Sequence, residues 1–288
     1  YATFLKNERK EMDKAEEYYK RAIEVDPQHA NILSNYANFL KNERKEMDKA
    51  EEYYKRAIEA DPTHANRLGN YAVFLHNERK EMDKAEEYYK RAIEADLTNA
   101  NNLGNYATFL KNERKEMDKA EEYYKRAIEA DPTHANSLGN YATLLQNERK
   151  EMDKAEEYYK RAIEADPTHT SSLGNYAQLC FLLQRNEEGI RLLQKVHMLS
   201  PQHPALMVEV AFYRLAHLPE VWPAGLSEMC KLLREGARSP GWSLLDNVRV
   251  ARELGHPNPE LLGAIAEVIG NKAPLDSLAQ YPEWPQRN

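Results

Sequence analysis

The chain contains 288 residues, of which 30% are charged, and it carries a net charge of −7 at pH 7 with a mean hydropathy of −0.82. Acidic and basic residues are interleaved, which leaves no basic stripe for nucleic acid, and no apolar run reaches the roughly 18 residues that span a bilayer. An aromatic content of 9%, including 18 tyrosines, argues against disorder. The composition therefore predicts a folded chain that binds neither nucleic acid nor membrane.

A 35-residue repeat organises most of the sequence. Six copies begin at tyrosines that are 35 residues apart: Tyr1, Tyr36, Tyr71, Tyr106, Tyr141 and Tyr176. Five copies contain the eighteen residues NERKEMDKAEEYYKRAIE without a change, beginning at Asn7, Asn42, Asn77, Asn112 and Asn147. Because the sequence opens on Tyr1, inside a repeat and without an initiator methionine, we expect it to be a piece of a longer chain.

Each repeat predicts two amphipathic helices, as the copy around Tyr141 illustrates. The first helix is predicted within residues 133–147, and four apolar residues share one of its faces: Leu138, Tyr141, Ala142 and Leu145. The second helix follows through MDKAEEYYKRAIEAD, and its apolar face holds Ala155, Tyr159, Ala162 and Ile163. Asp153 and Glu156 predict a capping box at its start, and Pro167 marks its end. One hairpin cannot bury both apolar stripes, so neighbouring hairpins are predicted to stack.

The sixth repeat keeps the apolar positions but lacks the charged string and one residue. Its matching residues are Leu173, Tyr176, Ala177, Cys180, Gly189, Leu193, Val196 and Pro201. Beyond Pro201 the period fades, and two further helices are predicted near residues 242–254 and 259–270. We interpret residues 1–201 as a tandem array of about six repeats, the first incomplete. Residues 202–288 are interpreted as degenerate repeats or a C-terminal capping domain, since terminal repeats need a polar outer face.

The repeat resembles the tetratricopeptide repeat family over residues 1 to about 201. A small–aromatic–small–proline series in the second helix matches the family pattern: Ala120, Tyr124, Ala127 and Pro132. The family unit has about 34 residues, so the thirty-fifth is expected as an extra residue in the turn between the helices, inside KNERKEMD. The resemblance implies an all-α fold, a right-handed α-solenoid of stacked helix–turn–helix hairpins with a helical C-terminal cap.

Motifs that would carry catalysis or hold a cofactor are missing from the sequence. It contains no glycine-rich phosphate loop, no H-E-x-x-H and no C-x-x-C, so we expect no enzymatic activity, cofactor or metal. Four histidines recur after the proline that ends a repeat: His29, His64, His134 and His169. Equivalent residues in stacked hairpins lie at least roughly 8–10 Å apart, whereas zinc ligands lie about 2 Å from the ion. A loop or capping role is therefore predicted for these histidines.

The cysteines and tryptophans support two further expectations. Cys180 and Cys230 lie in apolar helical contexts, which predicts buried free thiols and favours a cytoplasmic location. Trp222, Trp242 and Trp284 would form a specific interface if residues 202–288 carried the binding site, although tryptophan is as often part of the core of a helical cap.

The predicted binding residues lie on the first helix of each repeat. A constant asparagine recurs there: Asn35, Asn70, Asn105, Asn140 and Asn175. Two variable series share its face: Thr3, Asn38, Val73, Thr108 and Thr143, followed by Lys6, Lys41, His76, Lys111 and Gln146. In the family the first helices line a concave groove, and the asparagines look like a ladder whose amides hold an extended peptide, because an amide both donates and accepts. The variable residues would then add sequence preference.

Alternatives remain for several of these positions. Interhelical hydrogen bonding or capping is the other interpretation of the asparagines. A clamp for a C-terminal carboxylate is disfavoured, because Gly69, Gly104 and Gly139 occupy one of its basic positions. A third variable series has no assigned role: Ile32, Arg67, Asn102, Ser137 and Ser172. Packing explains about half of the constant string, and recent copying is the simpler account of its charges, with Glu121–Lys125 and Glu122–Arg126 as exposed pairs.

Three functional hypotheses follow. The leading one is a non-catalytic interaction scaffold that binds a peptide or protein segment in the groove of the first helices. The second is a sensor, regulatory or oligomerisation arm of a larger protein whose effector or enzyme domain lies upstream of Tyr1. The third is a purely structural or engineered array, in which the near-identical copies permit self-association.

Overall fold

The computed structural model describes residues 11–200, 204–239 and 244–285, and within these ranges the chain forms helices and turns without a β-strand. The prediction of an all-α fold is confirmed. Six residues of the sequence analysis lie outside the described ranges: Tyr1, Thr3, Lys6, Asn7, Pro201 and Trp242. None of the described helices is long and apolar enough to cross a membrane.

The chain divides into two compact units, Tyr1–Ser137 and Leu138–Asn288. The helices of the first unit are α1 (Met12–Val25), α2 (Ala30–Phe39), α3 (Met47–Ala60), α4 (Ala65–Phe74), α5 (Met82–Ala95), α6 (Ala100–Phe109) and α7 (Met117–Ala130). The unit boundary falls within α8 (Ala135–Leu144). The second unit continues with α9 (Met152–Ala165), α10 (Thr170–Leu182), α11 (Asn186–Leu199), α12 (Pro204–His217), α13 (Trp222–Arg234), α14 (Leu245–Glu253) and α15 (Pro259–Ile269).

Consecutive helices pair into the predicted hairpins, for example α2 with α3, α4 with α5 and α10 with α11. The packing positions predicted for the first helix of the Tyr141 repeat are buried: Leu138, Tyr141, Ala142 and Leu145. On the second helix Ala155, Tyr159 and Ala162 are buried as well, while Ile163 is only partly covered. Alanine at two of these positions lets the helices approach closely, and each buried tyrosine adds a large apolar area to the contact.

A π-helical turn at the end of the first helix accommodates the thirty-fifth residue in the second to fifth repeats. These turns cover Leu40–Arg44, Leu75–Arg79, Leu110–Arg114 and Leu145–Arg149. The amide of Glu46 donates to the carbonyl of Leu40, six residues earlier, at 3.1 Å. In the sixth repeat, which lacks the extra residue, the backbone amide of Arg185 donates to the equivalent carbonyl of Cys180, five residues earlier, at 2.8 Å. The insertion therefore widens the last turn of the helix, and a left-handed residue such as Lys45, with φ of 58°, ends it.

The capping box predicted at the start of the second helix is wrong. Helix α9 begins at Met152, and Glu151 is its N-cap residue without a side-chain cap hydrogen bond. The left-handed Lys150 directs the chain into the helix earlier than the Asp-x-x-Glu spacing implied. Asp153 consequently lies in the first turn, where its charge still favours the positive end of the helix dipole.

The second unit is held by one continuous apolar core that runs from Ala177 in α10 to Trp284. The two helices predicted near 242–254 and 259–270 are observed as α14 and α15. Cys180 and Cys230 are free and buried, as predicted. Trp284 belongs to the core, and the Trp222 ring lies 4.9 Å from the ring of His256. A division of the chain at residue 201 stays a prediction, because this core includes residues on both sides of that point.

Candidate functional site

The asparagines of the predicted ladder are open in the first unit. Asn35, Asn70 and Asn105 lie near the centres of α2, α4 and α6. The next two residues of each helix face the core, and the asparagines are exposed on the other side. Within the described part of the chain, the side-chain amides of Asn70 and Asn105 have no hydrogen-bond partner. Their amides can therefore offer a ligand both a donor and an acceptor.

The two asparagines of the second unit have different surroundings. Asn175 on α10 is only 8% exposed, and its Nδ2 donates to Thr143 Oγ1 on α8 at 3.0 Å. Asn140 is half-buried. At Asn175 the interhelical hydrogen bond is formed, which was the alternative interpretation of this series. The five asparagines are therefore not five equivalent contact points for a ligand.

The first variable series supplies partners to buried tyrosine hydroxyls of the second helices. The pairs are Asn38 with Tyr54 at 2.6 Å, Thr108 with Tyr124 at 3.0 Å and Thr143 with Tyr159 at 3.1 Å. Where Val73 offers no polar atom, His76 places Nδ1 3.4 Å from the hydroxyl of Tyr89. Gln146 provides Tyr159 with a further acceptor at 3.0 Å. Because a buried hydroxyl needs a partner, these substitutions keep a constant tyrosine satisfied, a role that the sequence analysis missed.

The second variable series faces the following repeat. His76 Nε2 lies 3.2 Å from Glu113 Oε1 at the end of the next first helix. Burial lowers the pKa of Lys41, and the charge of Glu78 in the next repeat opposes this effect. Lys41, His76 and Lys111 are all half-buried. Each follows the exposed asparagine of its repeat by six residues and is less accessible than it.

The third variable series packs between the first helices of neighbouring repeats. Asn102 on α6 donates through Nδ2 to the carbonyl of Ala65 on α4 at 3.1 Å. A side chain at Gly69 would overlap the amide of Asn102, and one at Gly104 would overlap the hydroxyl of Ser137. The glycines that argue against a carboxylate clamp therefore make room for a side chain of the next repeat. Variation in this series therefore changes the packing between the first helices of neighbouring repeats.

The histidine series lies at the starts of first helices, where the loop or capping role was predicted. Three of its members occupy the N-cap positions of α2, α4 and α10 without a side-chain cap hydrogen bond: His29, His64 and His169. His134 places Nδ1 2.7 Å from Ser137 Oγ and Nε2 2.9 Å from Asn101 Oδ1 of the preceding repeat. In the ranges that the structure describes, no group of three histidine, cysteine or acidic residues is arranged to hold a metal ion.

The charged string forms ion pairs between repeats. Arg79 in the π turn after α4 donates from Nη2 to Asp48 Oδ1 at 2.6 Å and from Nε to Glu51 Oε2 at 2.7 Å, both on α3 of the preceding hairpin. The hydroxyl of Tyr71 donates to the same glutamate at 3.3 Å. The same arrangement recurs around Arg44 and Arg114. In the sixth repeat, Arg185 binds the equivalent glutamate of the preceding repeat. Recent copying is therefore an incomplete account of these constant charges.

One of the two exposed pairs predicted within the second helix is observed. Lys125 Nζ lies 2.7 Å from Glu121 Oε1. The predicted Glu122–Arg126 pair is wrong, since no such ion pair forms among the described residues, and the Arg126 guanidinium lies over the ring of Tyr123, 4.7 Å from its centroid. A guanidinium stacks readily on an aromatic face, and the equivalent Arg91 combines such a contact with Tyr88 at 4.6 Å with an ion pair to Glu87 at 3.8 Å.

Two family models match the chain. A model of the middle TPR-like domain of cilia and flagella-associated protein 70 matches residues 76–192. A tetratricopeptide repeat model matches residues 8–65 and 48–100. Comparison with curated protein sequences finds no match.

Solved structures share the architecture at low sequence identity. A tetratricopeptide repeat protein from Parabacteroides merdae has a TM-score of 0.60 at 17% identity, covering 93% of this chain and 94% of its own. PilF of Pseudomonas aeruginosa has a TM-score of 0.60 at 21% identity, covering 78% and 97%. A chain of the APC/C hetero-tetramer Cut9–Hcn1 has a TM-score of 0.67 at 14% identity, covering 84% of this chain and 46% of its own. These similarities concern the fold.

Proposed function

Because the chain belongs to the tetratricopeptide repeat family, we propose that it is a non-catalytic scaffold that binds an extended polypeptide segment along the first helices of its first unit. The observation that carries this proposal is the recurrence of an exposed asparagine at the same place on α2, α4 and α6. Two of these amides, on Asn70 and Asn105, have no partner among the described residues.

The geometry suits a peptide backbone. Packed helices lie roughly 8–10 Å apart, and an extended chain advances about 3.3 Å per residue. With one exposed asparagine per hairpin, successive asparagines therefore contact backbone amides of the ligand that are about three or more residues apart. Because the asparagine amide pairs with a peptide N–H and a peptide C=O, this contact is independent of the side chains of the ligand.

Sequence preference would come from the residues beside the asparagines. Lys41, His76 and Lys111 follow them by six residues, in the π turns at the ends of the same helices, and Glu78 and Glu113 of the following repeats lie close to the first two. Such a surface carries both signs of charge, and it favours ligands with mixed charge over strongly acidic ones. Asn38, Thr108, Thr143 and Gln146 are proposed to act indirectly, by holding the tyrosines beneath the surface. Asn140 and Asn175 are left out of the core site because of their lower exposure.

The test uses a phage-displayed library of random twelve-residue peptides selected on the intact chain. Replacing Asn70 and Asn105 together by alanine is expected to weaken the selected peptides at least tenfold, because each lost hydrogen bond is worth about 0.5–1.5 kcal/mol. The control replaces two exposed glutamates of the second helices, Glu52 and Glu87, by alanine and should leave affinity unchanged. Equal peptide affinity of the asparagine variant and the native chain, at equal helicity, would refute the proposal.

A further inference from the structure

Tyrosine rings fill the space where hairpins of the first unit meet. Tyr36 on α2 packs edge-on against Tyr53 on α3 with ring centroids 4.7 Å apart, and its hydroxyl lies 3.4 Å from Glu16 Oε1 on α1. We call this space a junction. Its tyrosine pair recurs at 4.7, 4.8 and 4.7 Å in Tyr71–Tyr88, Tyr106–Tyr123 and Tyr141–Tyr158.

The junction that follows the sixth repeat has lost these side chains. Ile190 on α11 occupies the position equivalent to Glu16, the glutamate that follows the small packing residue of each second helix in the array. Val210 on α12 takes the place of the first tyrosine, 34 residues after Tyr176. Glu228 on α13 lies three residues after Gly225, as the second tyrosine lies three residues after the packing alanine. Gly225 fits the small packing position, since a side chain there would press on α12.

An open cleft of about 560 Å³ occupies this junction. Its lining includes Ile190, Met198, Met207, Val210, Arg214 and Glu228. The first four supply an apolar surface, to which the 73% exposed Met198 contributes a flexible thioether. Arg214 Nη1 and Glu228 Oε2 are paired across the cleft at 3.3 Å, and both remain about two-fifths exposed, at 43% and 42%.

We propose that this cleft receives the tyrosine side chain of a partner polypeptide. The other junctions of the same chain show that a phenol ring belongs in this space, on an apolar face and with its hydroxyl against a carboxylate. In the cleft the ring packs on Ile190, Val210 and Met207, and methionine sulfur makes favourable contacts with aromatic rings. The hydroxyl donates to Glu228 and accepts from Arg214, so the polar edge of the cleft complements the polar tip of the ligand.

This interaction surface is separate from the asparagines of the proposed function. The cleft lies entirely within the second unit, whereas Asn35, Asn70 and Asn105 lie in the first. Loss of peptide binding in the asparagine variant and loss of phenol binding in the cleft are therefore distinguishable results.

The test is an NMR titration of the full chain with methyl-labelled methionines. The probes are p-cresol and N-acetyl-tyrosinamide, with toluene as the analogue that lacks the hydroxyl. Met198 and Met207 line the cleft, and Met82 and Met117 of the first unit serve as internal controls. We expect saturable shifts of the two cleft methyl groups by both phenols, with dissociation constants on the order of millimolar, and at least threefold weaker binding of toluene.

Filling the cleft provides the second arm of the test. Val210→Tyr restores the tyrosine of the array and should abolish the ligand-induced shifts of the cleft methionines. If this variant loses helicity, Ile190→Phe fills the cleft from the opposite wall and should abolish the same shifts. The proposal is overturned by the absence of saturable shifts, by equal shifts of all four methionines, or by unchanged binding in the filled variants. Binding of p-cresol without binding of N-acetyl-tyrosinamide would overturn the polypeptide as occupant and indicate a free phenol.

Discussion

Replacing Glu86 by glutamine should weaken the contact between consecutive repeats. This carboxylate on α5 is bound by Lys90 at 2.7 Å and, from the next repeat, by Arg114 Nε at 2.7 Å and the hydroxyl of Tyr106 at 3.3 Å. Burial alone would raise the pKa of Glu86, but hydrogen bonds from Lys90 and Arg114 outweigh it and lower the pKa. The folded state therefore prefers the charged form, which glutamine cannot supply.

The expected loss is about 2 kcal/mol of unfolding free energy. Hydrogen bonds to charged groups contribute about 1.5–3 kcal/mol and neutral ones about 0.5–1.5, and the glutamine keeps a neutral acceptor. The side chain of Glu86 is 19% exposed, so solvent screens the interaction only in part. Its neighbour Glu87 is the matched control, because its side chain is 64% exposed and its pairing atom lies 3.8 Å from Arg91. Glu87→Gln should change stability by less than about 0.5 kcal/mol.

Urea denaturation followed by circular dichroism at pH 7 measures both variants. A double-mutant cycle that adds Arg114→Gln should give a coupling energy of about 1 kcal/mol or more, since the two residues touch. Glu86→Gln and Glu87→Gln with the same stability, or a coupling energy near zero, would refute the view that the constant charges hold neighbouring repeats together.

Three further predictions concern backbone geometry, packing and pH. Lys80→Gly should stabilise the chain by about 0.5–1 kcal/mol, because Lys80 has φ of 58° and glycine adopts this conformation without strain; a lower urea midpoint would contradict this. Gly104→Ala should lower the unfolding free energy by about 1–3 kcal/mol, because the added methyl group overlaps Ser137. Gly174→Ala should be neutral or stabilising, because no atom lies within 4 Å of the added methyl group. Equal changes in Tm for the two variants would count against the packing argument. Burial raises the pKa of Glu209 to about 7, above the value of about 4.3 in an unfolded chain, so its contribution is fully present below about pH 4.3 and is lost as pH rises through about 7. Glu209→Gln should therefore reduce the fall in Tm between about pH 5 and pH 8, and an unchanged fall would contradict the assignment.

The repeat period and the apolar spacing were enough to predict the hairpins and their buried positions. Leu138, Tyr141 and Tyr159 were assigned to the core because positions three, four and seven apart share a helix face, which is a local property of any α-helix. The capping box at the start of the second helix was wrong, because the π turn and the left-handed Lys150 depend on backbone geometry that a residue pattern does not contain. The asparagine site was located by its recurrence alone, and binding at this site stays a prediction.

Contacts between repeats could be assigned only from the tertiary structure. Arg79 bonds Asp48 and Glu51, which are 31 and 28 residues away in the sequence, and no helical periodicity links residues at that separation. The same holds for the burial of Asn175, which has the same place in its repeat as Asn105 but different neighbours. Identical side chains therefore differ in exposure, pKa and hydrogen bonding, because these properties are set by atoms that stacking brings from the adjacent hairpin. Local sequence specifies each hairpin, and packing between hairpins decides which of its surface residues remain open to a partner.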